Sequence, residues 1–328
     1  MCEVKTVKEH EGVDYFDENE HLKKEMKKKT SGSKDPLKKI SKKRIRKTVR
    51  KKRILQDYLF TITCYAALSI ALLILLFILG TVVEKGLKGM SWTLFFENLP
   101  AIGMSGGGIK NAIIGSILVS GVAIIIATPI GVLAATYLTE FPEKGIVQSV
   151  VRFLNDILLS VPSIIIGLFI FALVVKSMGA YSVIAGILSL LMIAVPMIVR
   201  TSEDVMRSLP PNLREAAVSL GVKRHKITFE IIYRSARKGI ITGIILALSR
   251  IAGETAPLLF TMLSNQFSSY SFFKPMANLP VVMYQYAMSP YENSQNLAWA
   301  AALVVTVVIL GINLFIRGIF NIKPKKIK

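Results

Sequence analysis

Hydrophobic residues in this chain gather into long unbroken blocks, neither alternating as in strands nor confined to one stripe as in surface helices. The blocks cover residues 59–83, 111–138, 155–175, 182–199, 239–263 and 297–318. At 1.5 Å per residue each reaches across roughly 30 Å of hydrocarbon. The pattern therefore predicts an all-α integral membrane protein with six transmembrane helices. Pro196 falls inside the fourth block and is expected to interrupt it; neighbouring helices then satisfy the carbonyl it frees. The polar stretches between blocks predict loops, and the longest, 200–238, has internal order. Pro210, Pro211 and Asn212 precede a short helix in which Asn212 is the expected N-cap and Glu215 complements the dipole. Small Ala216 and Ala217 let another surface approach closely, and Gly221 permits a chain reversal. Leu213, Leu220, Ile227, Ile231 and Ile232 supply an apolar side.

Charge sets the expected orientation. Segments 1–53, 140–154, 200–238 and 319–328 hold nearly all Lys and Arg, whereas the alternating loops 84–110, 176–181 and 264–296 hold only Lys85, Lys88, Lys110, Lys176 and Lys274. The positive-inside rule then puts both termini in the cytoplasm, and Trp92 and Trp299 fall near the outer interface, as an aromatic belt requires. Residues 1–55 form a polar tail, first acidic and then strongly basic, expected to lack regular structure. Its length excludes the charged front of a signal peptide. Beside the first span its basic end attracts anionic lipid. Residues 56–328 form the transmembrane domain.

Composition agrees: 52% of residues are hydrophobic and the mean hydropathy is +0.52. A net charge of +20 in a soluble protein points to nucleic acid; here it follows membrane topology, and no nucleic-acid partner is expected. Cys2 and Cys64 are too few for a disulfide framework, and His10, His21 and His225 have no metal-ligand spacing. The run from Gly103 to Lys110 lacks the glycine–lysine junction of a phosphate loop, so neither a cofactor nor an ATPase site is expected on this chain. Gly106, Gly107 and Gly108 read as a flexible lead-in to the second span.

Two charges stand inside a block. Arg250 lies near the middle of 239–263, at a depth where a charge costs roughly 2.5–3.5 kcal/mol. Glu254 follows four positions later, a spacing that stacks the two side chains on one helix face, where they can pair. Such a pair marks a path for a polar solute, and the arginine fork favours an anion. Arg200, at the cytoplasmic end of the fourth block, either attracts an anion leaving that path or anchors the helix end by snorkelling.

The loop pattern Glu215, Ala216, Ala217, then Gly221 and Ile231, resembles the EAA loop of ABC importer permeases, with Tyr233 and Arg234 in place of the family's terminal Leu-Pro. Further segments, Thr128-Pro129, Tyr137 to Glu140, Val161 to Gly167, Val199 to Asp204 and above all Gly253-Glu254-Thr255-Ala256-Pro257, are similar to the PstA-type permeases of phosphate ABC importers over roughly residues 55–320. The resemblance implies a type I importer (MetI-like) fold. It implies a PstC-type second permease, a PstB-type ATPase dimer holding ATP-Mg, a PstS-type extracellular phosphate-binding protein, and the bacterial inner membrane. It also implies that Glu215, Ala216, Ala217, Gly221 and Ile231 dock on the ATPase, and that Arg250, Glu254 and Arg200 line the path of inorganic phosphate. Sulfate, molybdate or tungstate remain alternative solutes; an ion-coupled secondary transporter leaves the EAA spacing unexplained and predicts inverted repeats.

Overall fold

The computed structural model describes residues 36–141, 145–267 and 271–320, so residues 1–35 of the expected tail lie outside it. Among the described residues every regular element is helical. The chain divides into two compact units, residues 1–76 and 77–328.

Helix α1 runs from Pro36 to Lys88. Residues 36–55 are therefore helical, against the expectation of an irregular tail. Pro36 takes the first helical position, where its missing N–H costs nothing, and the lysines and arginines that follow are good helix formers. Within the first unit, consecutive residues from Leu72 to Leu76 are all exposed. Successive side chains point about 100° apart, so this stretch of α1 is apolar all round, the signature of a helix surrounded by lipid or by another helix.

In the second unit, α2 (Thr93–Phe96), α3 (Lys110–Glu140), α4 (Ile146–Ser160), α5 (Ser163–Met178), α6 (Val183–Arg207), α7 (Pro211–Ser219), α8 (Tyr233–Ala252), α9 (Ala256–Thr261), α10 (Leu279–Ala287) and α11 (Glu292–Phe320) follow in order. Four of the six expected spans coincide with helices long and apolar enough to cross a membrane: Gln56–Lys88, Lys110–Glu140, Val183–Arg207 and Glu292–Leu314. Contrary to expectation, α6 runs through Pro196 unbroken. The third block is not one straight helix: α4 and α5 meet at a 106° bend. Pro162 causes it by driving Val161 into extended backbone (φ −70°, ψ 130°). The fifth block also breaks, because α8 stops at Ala252 and α9 starts at Ala256.

Small residues hold the central helices together. Along α3, Ala123, Ala127, Gly131 and Ala135 are buried at every fourth position, and a Cβ on Gly131 would lie 2.7 Å from Ile198 of α6. On α8, Gly239, Gly243 and Ala247 repeat the spacing; a Cβ on Gly239 would meet Val205 at 2.6 Å, and one on Gly243 would strike Thr201. Such seams let helix backbones approach closely where no hydrophobic effect drives association. Val183, Leu190, Ile198, Ala247 and Ile251 fill the core between them.

A second core, around Leu94, Ile109, Val282, Tyr286 and Leu297, joins α2 and α10 to the first turns of α3 and α11. Asn111 staples it, accepting from the Leu99 N–H at 3.2 Å and donating to the Gln266 carbonyl at 2.9 Å. The glycine run is not a loose lead-in. Gly108 N–H donates to the Asn98 carbonyl at 2.9 Å and Ile109 N–H to the Leu94 carbonyl at 2.8 Å. A Cβ on Gly108 would meet the carbonyl oxygens of Leu94 and Thr93 at 2.5 and 2.6 Å, so the close approach requires glycine.

Candidate translocation site and coupling surface

Arg250 occupies the last turn of α8, where a cation is favoured by the helix dipole. Gly253 closes the helix by donating to the Arg250 and Ile251 carbonyls. Glu254 therefore lies beyond the helix and not on a continued face of it, because Pro257, already inside α9, excludes one helix through this segment. The two charges still meet, with Arg250 Nε 3.8 Å from Glu254 Oε1. That is an ion-pair distance, too long for a hydrogen bond. Arg250 donates no hydrogen bond to any described residue, and its side chain is 46% exposed against 15% for Glu254. The guanidinium is thus held in place but not consumed.

Arg200 is more heavily engaged. It pairs with Asp204 at 3.3 Å on its own helix and with Asp156 of α4 at 3.9 Å. Its neighbour Thr201 faces Gly243, seven residues short of Arg250 on α8, so the two arginines stand roughly 10 Å apart along the helix axis. The structure does not bring them into one cluster.

The loop 200–238 is built around α7. Pro211, not the expected Asn212, begins the helix, with Pro210 at the cap and Asn212 inside the first turn. A proline at the first position needs no N–H partner, so no side-chain cap is required. At the other end Gly221 takes the left-handed conformation at φ +70°, and Val222 N–H reaches back to the Ala217 carbonyl at 3.1 Å. The expected apolar side splits in two. Ala217, Ile227 and Ile232 are buried against Met206, with Ile231 packed on the same core. Leu213, Val218 and Leu220 are exposed, Leu220 by 83%, and share α7 and its exit with exposed Glu215 and Ala216. Tyr233 ties this region to α3 through a 2.7 Å hydrogen bond with the Thr136 hydroxyl.

Residues 127–328 match the family described as the binding-protein-dependent transport system inner membrane component. The phosphate transport system permease protein PstA of Pasteurella multocida is 47% identical over 273 residues, 83% of this chain and 97% of that protein. That of Haemophilus influenzae is 48% identical over 79% of this chain and 92% of its own length. The chain belongs to this inner membrane component family, as a PstA-type member. A probable PstA of Methanocaldococcus jannaschii is 34% identical over 81% of the chain and 94% of its own length. Among solved structures, a bacterial alginate ABC transporter with a periplasmic protein aligns with 82% of the chain and 96% of its own at a TM-score of 0.61 and 17% identity. The inward-facing MetNI methionine ABC transporter aligns with 64% of the chain and 91% of its own at 0.50 and 18%. These likenesses establish the MetI-like permease fold. The chain is thus a multi-pass membrane permease subunit, not an enzyme.

Sequence reasoning passed over the permease's ion pairs at the ends of α3 and α6. Arg214 of α7 clasps Glu140, the last residue of α3, through contacts of 2.8 and 3.2 Å, and also donates to the Met206 carbonyl at 3.3 Å. Glu203 is 7% exposed and is held between Arg152 of α4 at 3.2 Å and Arg207 at 3.1 Å. The i,i+4 spacing of Glu203 and Arg207 was the available signal; the partners 74 and 51 residues away left none.

Proposed function

We propose that this chain is one half of the translocation path of an ATP-driven importer for inorganic phosphate, paired with a PstC-type permease and supplied by a PstS-type binding protein. The observation that carries the solute assignment is the Arg250 guanidinium, positioned by Glu254 yet donating no hydrogen bond among the described residues. A planar fork of that kind matches the oxygens of a tetrahedral anion. Glu254, the less exposed partner, accepts the proton of a hydrogenphosphate hydroxyl, which sulfate lacks at neutral pH. Arg200, flanked by Asp156 and Asp204, anchors the inner end of α6 and does not hold solute.

Coupling runs through α7. Its exposed face, with Glu215, Ala216, Leu213 and Leu220, docks on a PstB-type ATPase dimer that carries ATP-Mg. Ala217 and Ile231 fasten the loop to the membrane core, and Gly221 supplies the turn that presents the face. Both termini lie in the cytoplasm, and the basic tail sits on anionic lipid.

The test is initial-rate uptake by the reconstituted importer with its binding protein. Arg250→Ala is expected to abolish phosphate uptake while the purified ATPase stays bound. Glu254→Gln is expected to let sulfate compete; unchanged selectivity removes the protonation role. Phosphate accumulation by vesicles holding this chain alone without ATP overturns the whole assignment.

A further inference from the structure

A cleft of about 560 Å³ opens beside the same α8–α9 break. It is lined by Lys85 at the end of α1, Thr255 next to Glu254, Met283 and Tyr284 of α10, and Gln295 and Trp299 of α11. Among the described residues Lys85 is the only charge that lines it, and no carboxylate does. The acidic neighbour of Lys85, Glu84, pairs instead with Lys88 at 3.7 Å. The Lys85 ammonium stands 4.9 Å from the centre of the Trp299 ring. An aromatic face holds a cation in place without neutralising its charge. The Thr255 and Tyr284 hydroxyls make no hydrogen bond among the described residues, whereas the Gln295 amide is committed to the Ser289 carbonyl at 2.9 Å. One ammonium without a carboxylate partner and two uncommitted hydroxyls around an open, partly apolar cleft are donors in search of an acceptor-rich ligand.

We propose that this cleft is an outer waiting site for a phosphate oxyanion, held by Lys85, Thr255 and Tyr284. It rests on the reading of Arg250 as the inner station, and Thr255 and Glu254, adjacent in the chain, link the two. Lysine suits the outer position: its rotating point charge holds an anion without the bidentate grip of an arginine. The same donors fit the headgroup phosphate of an anionic lipid, because Lys85 lies in the last turn of a candidate span, Gln56–Lys88, where a headgroup is expected.

The test uses the assembled nucleotide-free importer in detergent, with radiolabelled inorganic phosphate as probe and bound lipid phosphorus measured on the same samples. Lys85→Ala is expected to weaken phosphate binding about tenfold, with Lys85→Arg restoring most of it. Arg250→Ala is expected to remove the inner station's share of the bound phosphate together with uptake, and to leave a second, Lys85-dependent share in place. In vesicles, Lys85→Ala is expected to raise KM by the same factor at unchanged kcat, which a merely structural role does not do. If phosphate does not bind but Lys85→Ala strips anionic lipid, the occupant is a headgroup and the oxyanion site stands. If the importer carries sulfate instead, the solute assignment fails, and the site stands on a tenfold loss of sulfate binding in Lys85→Ala. The proposal is overturned if Lys85→Ala changes neither bound anion nor bound lipid, if the wild type binds neither, or if phosphate binding disappears with Arg250→Ala alone.

Discussion

At the scale of single residues, placement decides what a polar group does in this permease. Arg250 and Tyr286 illustrate opposite solutions. Arg250 keeps its donors open. Tyr286 is buried and gives its hydroxyl to the Pro100 carbonyl, joining α10 to the chain before α3. Burial raises its pKa above the usual phenol value near 10. The neutral phenol is therefore the form the fold prefers. Its contribution is fully present below pH about 10 and is lost as pH rises through the raised value. Tyr286→Phe is expected to cost about 1 kcal/mol and to flatten the alkaline limb of a thermal-unfolding profile measured in detergent. An unchanged alkaline limb would assign that limb to other groups. The sequence made Arg250 and Glu254 legible because charge in an apolar block is costly. It concealed their geometry, because Gly253 and Pro257 end one helix and start another between residues whose spacing suits a single turn. Asn212 misled for a related reason: Pro211 opens α7 without help from a side-chain cap.

At the scale of elements, length and apolarity identified most of the helices, and the departures sit at prolines. Pro162 folds the third block back on itself, whereas Pro196 passes through α6 without a break. A proline inside an apolar run thus leaves two outcomes open, and tertiary neighbours choose between them. The contacts between elements were hidden more deeply. Nothing near Arg214 in the chain points to Glu140, yet this pair joins the proposed docking helix to the longest central helix. For the docking of α7 proposed above, the pair offers a direct route by which displacement of α7 would reach α3. Breaking a partly buried pair from one side leaves the other charge stranded. Glu140→Gln and Arg214→Met are each expected to reduce uptake severalfold while ATP hydrolysis by the assembled importer continues. The exchange Glu140→Arg with Arg214→Glu is expected to restore part of the uptake. Equal loss of hydrolysis and uptake in the single variants would mark the pair as structural support only.

At the scale of the whole molecule, the chain joins a permease body to a long basic extension. The family match covers residues 127–328, which do not include the extension, and the relatives cover about four fifths of the chain. The extension's lysines and arginines are worth about 1 kcal/mol each near an anionic surface, which is the basis for the proposed seat on anionic lipid. Deleting residues 1–53, which hold 19 Lys and Arg against 9 Asp and Glu, is expected to leave phosphate uptake within about twofold in vesicles, with weaker binding of the purified importer to anionic liposomes at low salt. Loss of uptake with normal membrane insertion would give the extension a larger part.

The glycine and alanine seams have a mechanical corollary. Where Gly131 admits Ile198 and Gly243 admits Thr201, there is no clearance for α3, α6 and α8 to shear past one another. A stack without play turns as one block. In the importer proposed above, alternating access would then be a rocking of whole subunits, with its pivot drawn along the boundary with the proposed second permease.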